Sequence, residues 1–346
     1  MNVKVLFVSL FWPWAACAQG FAGLGTSVEG FAIPQSGYQF QFPTDHSAHP
    51  DFRIEWWYVT ANLKGDDGTE YGIQWTLFRS ALAPYDVQGW DSPQVWLAHA
   101  ALTTPDAHFV EERRARGGIG IAGAGGTPFR AALDEWSLNS SDDGIDTVTL
   151  TANGENFGYN LQLDADGPLI FHGRGGYSVK SASGQASYYY SQPFYEVTGT
   201  LSLPQGDVSV TGNAWLDREW SSQPLASDQR GWDWVSLHFD DDTRLMGFQL
   251  RDSAAGYTSA TWIAPDGSTQ AYADGGLQMV SVAQSAVAER TIPTTWRVTL
   301  PDKGIDVTIT ALNPLSWMAT SFPYWEGPVN ISGTHTGRGY LEMTGY

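Results

Sequence analysis

Arg53–Leu63 reads RIEWWYVTANL and Tyr71–Arg79 reads YGIQWTLFR, with Asp66-Asp67-Gly68 between them. Both runs are rich in aromatic and β-branched residues and alternate in part. An acidic turn ending in glycine joins them, so the pair reads as a β-hairpin. The pattern returns later in the chain. Trp56-Trp57-Tyr58-Val59-Thr60 is echoed by Trp232-Asp233-Trp234-Val235-Ser236, and Gly72-Ile73-Gln74 by Gly247-Phe248-Gln249. Such an echo implies two related β-domains, 19–200 and 201–346.

Outward from these hairpins the chain keeps the same character. Gln94–Thr103, Thr147–Thr151, Leu161–Asp164, Val208–Leu216, Trp232–Phe239 and Arg244–Arg251 read as strands. So do Ser259–Ile263, Arg297–Leu300, Val307–Thr310 and Gly339–Thr344. Arg113–Gly126 is glycine-rich and reads as a loop, and Leu277–Glu289 has a mild helical look. Short strands at regular spacing mean a sandwich or barrel, so the expected fold class is all-β. The 346 residues hold 16 Trp, 15 Tyr, 16 Phe and 38 Gly, enough for a large apolar interior without disulfides. The formal net charge of −19 repels a phosphate backbone, so no nucleic-acid partner is expected.

The first 18 residues read as a secretory signal. Val5–Trp14 is apolar but too short to span a bilayer, and Ala16-Cys17-Ala18 offers a small-x-small cleavage site. The expected location is periplasmic or secreted. Acylation of Cys17, as in a lipoprotein, is the competing reading, and bulky Trp14 weighs against it. Residues 19–50 read as an extended lead-in packed on the body.

Trp215-Leu216-Asp217-Arg218-Glu219-Trp220 carries the most chemistry. In a strand Trp215, Asp217 and Glu219 share one face. Two carboxylates beside indole rings can have their pKa values pushed apart, leaving one as an acid. The plainer reading is a strand end with a surface Arg–Glu pair. Asp45, His46, His49 and Asp51 could ligate a metal, but Pro50 and the loop-like setting favour a solvated or structural cluster. No metal and no cofactor are expected. His99 interrupts an apolar run and reads more readily as a satisfied core histidine than as a catalyst, and Tyr177 and Tyr188-Tyr189-Tyr190 more readily as amphipathic packing than as the hydroxyl-tipped lining of a pocket. The absence of H-E-x-x-H and G-x-S-x-G removes the common metalloprotease and esterase motifs.

His49-Pro50-Asp51-Phe52-Arg53-Ile54-Glu55-Trp56-Trp57-Tyr58 resembles the H-P-x-x-x-x-E-W-W-Y signature of the AttH family. That family includes carotenoid 1,2-hydratases. The blocks Phe78-Arg79, Leu97–Ala100, Gly176–Lys180, Ser187–Ser191, Trp215–Ser222, Gly231–Trp234 and Gly339–Tyr346 follow in the family's order. The resemblance implies two lipocalin-like antiparallel β-barrel domains. It also implies a hydro-lyase that adds water to a C=C of a long apolar isoprenoid, with Asp217 as proton donor. Glu219, Glu55 and His99 are then candidates for positioning water or tuning Asp217, and Trp57, Tyr189, Trp215 and Trp234 for the apolar lining. The partner expected is a hydrophobic small molecule, isoprenoid or lipid, with transient membrane or lipid-transporter contact. The secretory start fits a second reading, a non-catalytic periplasmic carrier of a lipid-like ligand. A pericyclase-type enzyme is a third.

Overall fold

A computed structural model describes residues 29–223, 228–253 and 256–346. The segment read as a secretory signal, with Cys17, lies outside the described residues. Among these residues there is no α-helix. The chain folds into two curled antiparallel sheets, a barrel and a half-barrel. In spatial order the first sheet begins His108–Arg116, Gln94–Thr103, Glu70–Ala81, Ile54–Gly65, Gly206–Ser221 and Ala186–Leu203. It continues Gly158–Ala165, Thr147–Asn153, Trp136–Ser140, Arg130–Leu133 and Ala122–Gly125. The second sheet runs Thr269–Tyr272, Tyr257–Ile263, Arg244–Arg251, Gly231–Phe239, Gly337–Met343, Tyr324–Gly333, Ile305–Ala311, Arg290–Leu300 and Gln278–Val287.

The sequence echo has a structural counterpart. Ile54–Gly65 and Gly231–Phe239 hold equivalent places, each paired on one side with its hairpin partner and on the other with a later strand. Residue 200 lies in the hairpin formed by Ala186–Leu203 and Gly206–Ser221, whose register closes tightly at Leu203 opposite Gly206. Both strands stay in the first sheet, and the chain passes to the second only between Ser221 and Gly231.

Two expectations are corrected. Leu277–Glu289 contains the strand Gln278–Val287, not a helix. This is an edge strand with a largely exposed surface, so small polar residues such as Ser281 and Ser285 blur its alternation. Arg113–Gly126 is only in part a loop. Arg113–Arg116 ends one strand, and Ala122–Gly125 is a short edge strand whose Gly and Ala leave no alternation to read.

Apolar packing forms three main layers, beside a small cluster of Ala101, Met318 and Tyr324. One fills the concave face of the first sheet around Trp57, Trp75 and Trp220, and a second fills the concave face of the other around Trp296 and Trp325. The third lies where the sheets meet, with Tyr58, Tyr189, Trp215, Trp234 and Phe248. At ~25 cal/mol per Å² a fully buried indole supplies on the order of 5 kcal/mol before entropic costs. The sheets approach closely at Gly72, where a Cβ would stand 2.6 Å from Cγ of Pro328 and 2.8 Å from the Tyr340 hydroxyl. Gly72→Ala should therefore destabilise the protein by about 1–3 kcal/mol in urea unfolding. An unchanged midpoint would show that the sheets part freely here.

Candidate functional site

Strand alternation sorts the marked residues onto two faces. Tyr58 stands opposite Asp217, and Tyr189 opposite Glu219. Trp56, Tyr58, Asp217, Glu219 and Tyr189 turn towards the second sheet, which presents Trp232, Trp234, Phe248 and Glu342 in return. Between them lies a mostly apolar cleft, its rim including Ile54, Phe78, Lys180 and Leu250. It encloses about 1100 Å³ of empty space, its open mouth included.

Asp217 is the focus. It is 2% exposed. Three donors converge on its carboxyl group: the Tyr189 hydroxyl at 2.6 Å, the Trp215 Nε1–H at 2.6 Å and the Ser191 hydroxyl. Burial pushes this group up to about 7, although the three donors pull it down, and Glu219 adds to the rise. Near neutrality the group is thus divided between acid and anion, with the anion's hydrogen bonds already in place. Behind Ser191 stands fully buried His172, with Nε2 2.6 Å from the Ser191 hydroxyl and Nδ1 2.9 Å from that of Thr261. Burial keeps this imidazole neutral. Because Ser191 donates to Asp217, His172 Nε2–H donates to Ser191 and fixes its rotor.

Glu219 accepts from the Ser187 hydroxyl and pairs with Lys180 at 2.8 Å. The Lys180 ammonium also lies 4.4 Å above the Tyr189 ring and 4.6 Å from that of Phe248, in the lining of the cleft. Glu342 lines the wall from the second sheet and accepts from Trp232 Nε1–H at 2.8 Å. Burial raises its carboxyl to about 7 as well, with Asp217 and Glu219 adding to the rise.

The structure therefore unites Asp217, Glu219, Tyr189 and Trp234 at the cleft, with Trp215 behind Asp217. Three expected residues stand elsewhere. Trp57 is on the opposite face, inside the first sheet's core, with the Arg218 guanidinium 3.9 Å above its ring. Glu55 borders the cleft, but its carboxylate is bound by Arg79, Arg218 and His49 on that opposite face. His99 is remote, between the Tyr324 hydroxyl at 3.0 Å and Glu112 at 3.2 Å. Sequence reading missed Trp56, Tyr58, Lys180, Ser191, His172 and Glu342. Alternation from Asp217 identifies Tyr58 once the register is known. Glu342 and His172 carry no local signal.

The histidine-rich lead-in is structural. His46 Nδ1 lies 2.7 Å from the Tyr190 hydroxyl, and His49 stacks on Trp220 at 4.0 Å. Among the described residues no group of three or more His, Cys, Asp or Glu is disposed to hold a metal.

The comparisons agree with this architecture. The AttH-like family matches residues 33–346. No curated protein matches the chain. Among solved structures, an AttH from Nitrosomonas europaea is 33% identical, with a TM-score of 0.82 over 91% of this chain and 100% of that one. Kievitone hydratase from Nectria haematococca is 12% identical, with a TM-score of 0.67 over 91% of this chain and 96% of that one. At that identity the second likeness shows a shared fold alone. The family match and the likeness to the Nitrosomonas protein both span nearly the whole chain, which belongs to the AttH-like family.

Proposed function

We propose that this protein is a hydratase-type enzyme that adds water across a C=C of a long apolar isoprenoid. The observation that carries the reading is a buried carboxyl, Asp217, poised near pH 7 in the wall of an aromatic cleft. The alkene lies against Tyr189, Trp56 and Trp234. Asp217 gives its proton to the less substituted alkene carbon, and the π electrons form the new C–H bond. The positive charge left on the other carbon faces aromatic rings, whose π clouds favour a cation. The Asp217 anion is received by Tyr189, Ser191 and Trp215, so little reorganisation accompanies the transfer. A water oxygen then bonds to the cation and yields its proton to a carboxylate of the wall, the role this reading gives to Glu342. Asp217 regains a proton from solvent, and the sum is alkene plus water to alcohol. Kievitone hydratase shares the fold, so this architecture can house a hydratase site.

With the start read as a secretory signal, the reaction is proposed to take place in the periplasm or outside the cell. A carrier without catalysis has one point in its favour, since Asp217 is already fully hydrogen-bonded by neighbours. A pH–rate profile with an acyclic carotene in detergent micelles separates the two. The hydratase reading requires Asp217 protonated, so kcat should fall about tenfold per pH unit above ~7. No alcohol at any pH would leave the carrier.

A further inference from the structure

The cleft is not apolar throughout, and the proposed reaction leaves one of its polar features unused. An ion pair borders it: Lys180 Nζ lies 2.8 Å from Glu219 Oε1, the two side chains being 23% and 8% exposed. Local structure fixes the spot. Glu219 stands opposite Trp56 on one neighbouring strand and Tyr189 on the other. Lys180 begins a tight connection whose ends meet as its backbone N–H donates to the Gln185 carbonyl at 2.7 Å. The ammonium carries three N–H donors, and Glu219 Oε1 is the one oxygen of a described residue that it pairs with. Around it otherwise lie the rings of Tyr189 and Phe248. On Glu219 the Ser187 hydroxyl and Lys180 both meet Oε1, and Oε2 receives no hydrogen bond from a described residue. A free donor and a free acceptor thus stand side by side at the cleft.

We propose that Lys180 and Glu219 form a subsite for a hydroxyl group, so that the cleft prefers an isoprenoid alcohol to the bare hydrocarbon or to an isoprenoid phosphate. The inference deepens the hydratase reading and rests on it for the place of the reacting alkene beside Asp217. A hydrocarbon seated here strips water from the ion pair and returns no hydrogen bond, which costs affinity. A hydroxyl answers both halves, its oxygen accepting from Lys180 and its hydrogen donated to Glu219 Oε2. An anionic head is not answered. Asp217, Glu219 and Glu342 line the cleft, Lys180 is already matched by Glu219, and Arg79, the other cation of the lining, is bound to Glu55. No positive charge in the lining is left over for a phosphate. The strand also sets a spacing. Asp217 and Glu219 are two residues apart on one face, so acid and subsite are about 7 Å apart. That places the hydroxyl and the alkene that takes the proton on neighbouring isoprene units.

Three probes test the subsite by binding alone, in titration calorimetry from one detergent: farnesol, the hydrocarbon with hydrogen in place of its hydroxyl, and farnesyl diphosphate. The ratio of farnesol to hydrocarbon affinity should fall by about tenfold or more in Lys180→Met and in Lys180→Ala, because a hydrogen bond from a charged donor is lost. The detergent's own preference for either ligand is common to wild type and variants and cancels in that comparison. Wild type should bind farnesyl diphosphate more weakly than farnesol. A ratio that stays unchanged in a folded Lys180 variant overturns the proposal. So does tighter binding of the diphosphate by wild type, a comparison that needs no variant. Near-ultraviolet circular dichroism reports whether each variant is folded. Should the hydratase reading fail, wild type would hydrate neither farnesol nor the hydrocarbon while the affinity ratio still depended on Lys180. Should the subsite alone fail, hydration would proceed with a ratio indifferent to Lys180.

Discussion

Asp217→Asn is expected to lower kcat by on the order of 10²–10⁴-fold, the usual contribution of a positioned general acid. Asn keeps the shape, and its amide oxygen can accept from Ser191 and Trp215 while its NH2 faces the Tyr189 oxygen, but it holds no proton acidic enough to transfer. The cleft is mostly apolar, so ligand affinity should stay unchanged. Tryptophan quenching by the bound ligand, through Trp234 and Trp232, measures that affinity independently of turnover. A variant that loses binding as well as rate would make Asp217 a packing residue. A variant that keeps its rate would remove it from the chemistry altogether.

Glu55→Gln should cost about 3–5 kcal/mol of stability, the usual penalty for removing one partner of a buried ion pair. The Glu55 carboxylate is fully buried between Arg79 and Arg218, and both guanidiniums are 1% exposed. Each arginine also ties the lead-in to the first sheet. Arg79 donates to the carbonyls of His49 and Phe52, and Arg218 to that of Ser47. Without the anion both cations stay buried and uncompensated, and the lead-in loses its anchor. Burial alone would raise the Glu55 carboxyl, but Arg79, His49 and Arg218 outweigh it and hold it well below the usual range. A group depressed in the folded state stabilises above its unfolded pKa of about 4.3 and loses that contribution as pH falls through the folded value. Wild type should therefore lose stability on acidification below pH ~4.3 more steeply than Glu55→Gln. Urea midpoints at neutral and acid pH read both effects. Equal midpoints at neutral pH would show that the arginines find other partners.

These two carboxylates also mark what the sequence made legible. Asp217 and Glu219 were placed on one face from spacing alone, because a strand has period 2 and the pattern needs no tertiary knowledge. Glu55 lies in an equally distinctive block, but its role depends on Arg79 and Arg218 from neighbouring strands. Local pattern did not show which face of Ile54–Gly65 looks into the cleft. That depends on both sheets, and it exchanges Trp57 for Trp56 and Tyr58. The all-β fold and the echo were readable from alternation and turn residues. The extent of the first sheet was not, because a long hairpin looks the same whether or not it crosses a boundary. Glu342 sits in a plain strand, and only the packing of one sheet on the other makes it part of the cleft wall.

Mass spectrometry of the organic extract of protein purified from its native compartment addresses the proposed chemistry first. The hydratase reading expects an isoprenoid alkene together with the same molecule one water heavier. A phospholipid or fatty acid with no isoprenoid and no hydrated partner would contradict it, and would leave a lipid carrier in which Asp217 serves the packing of the sheets.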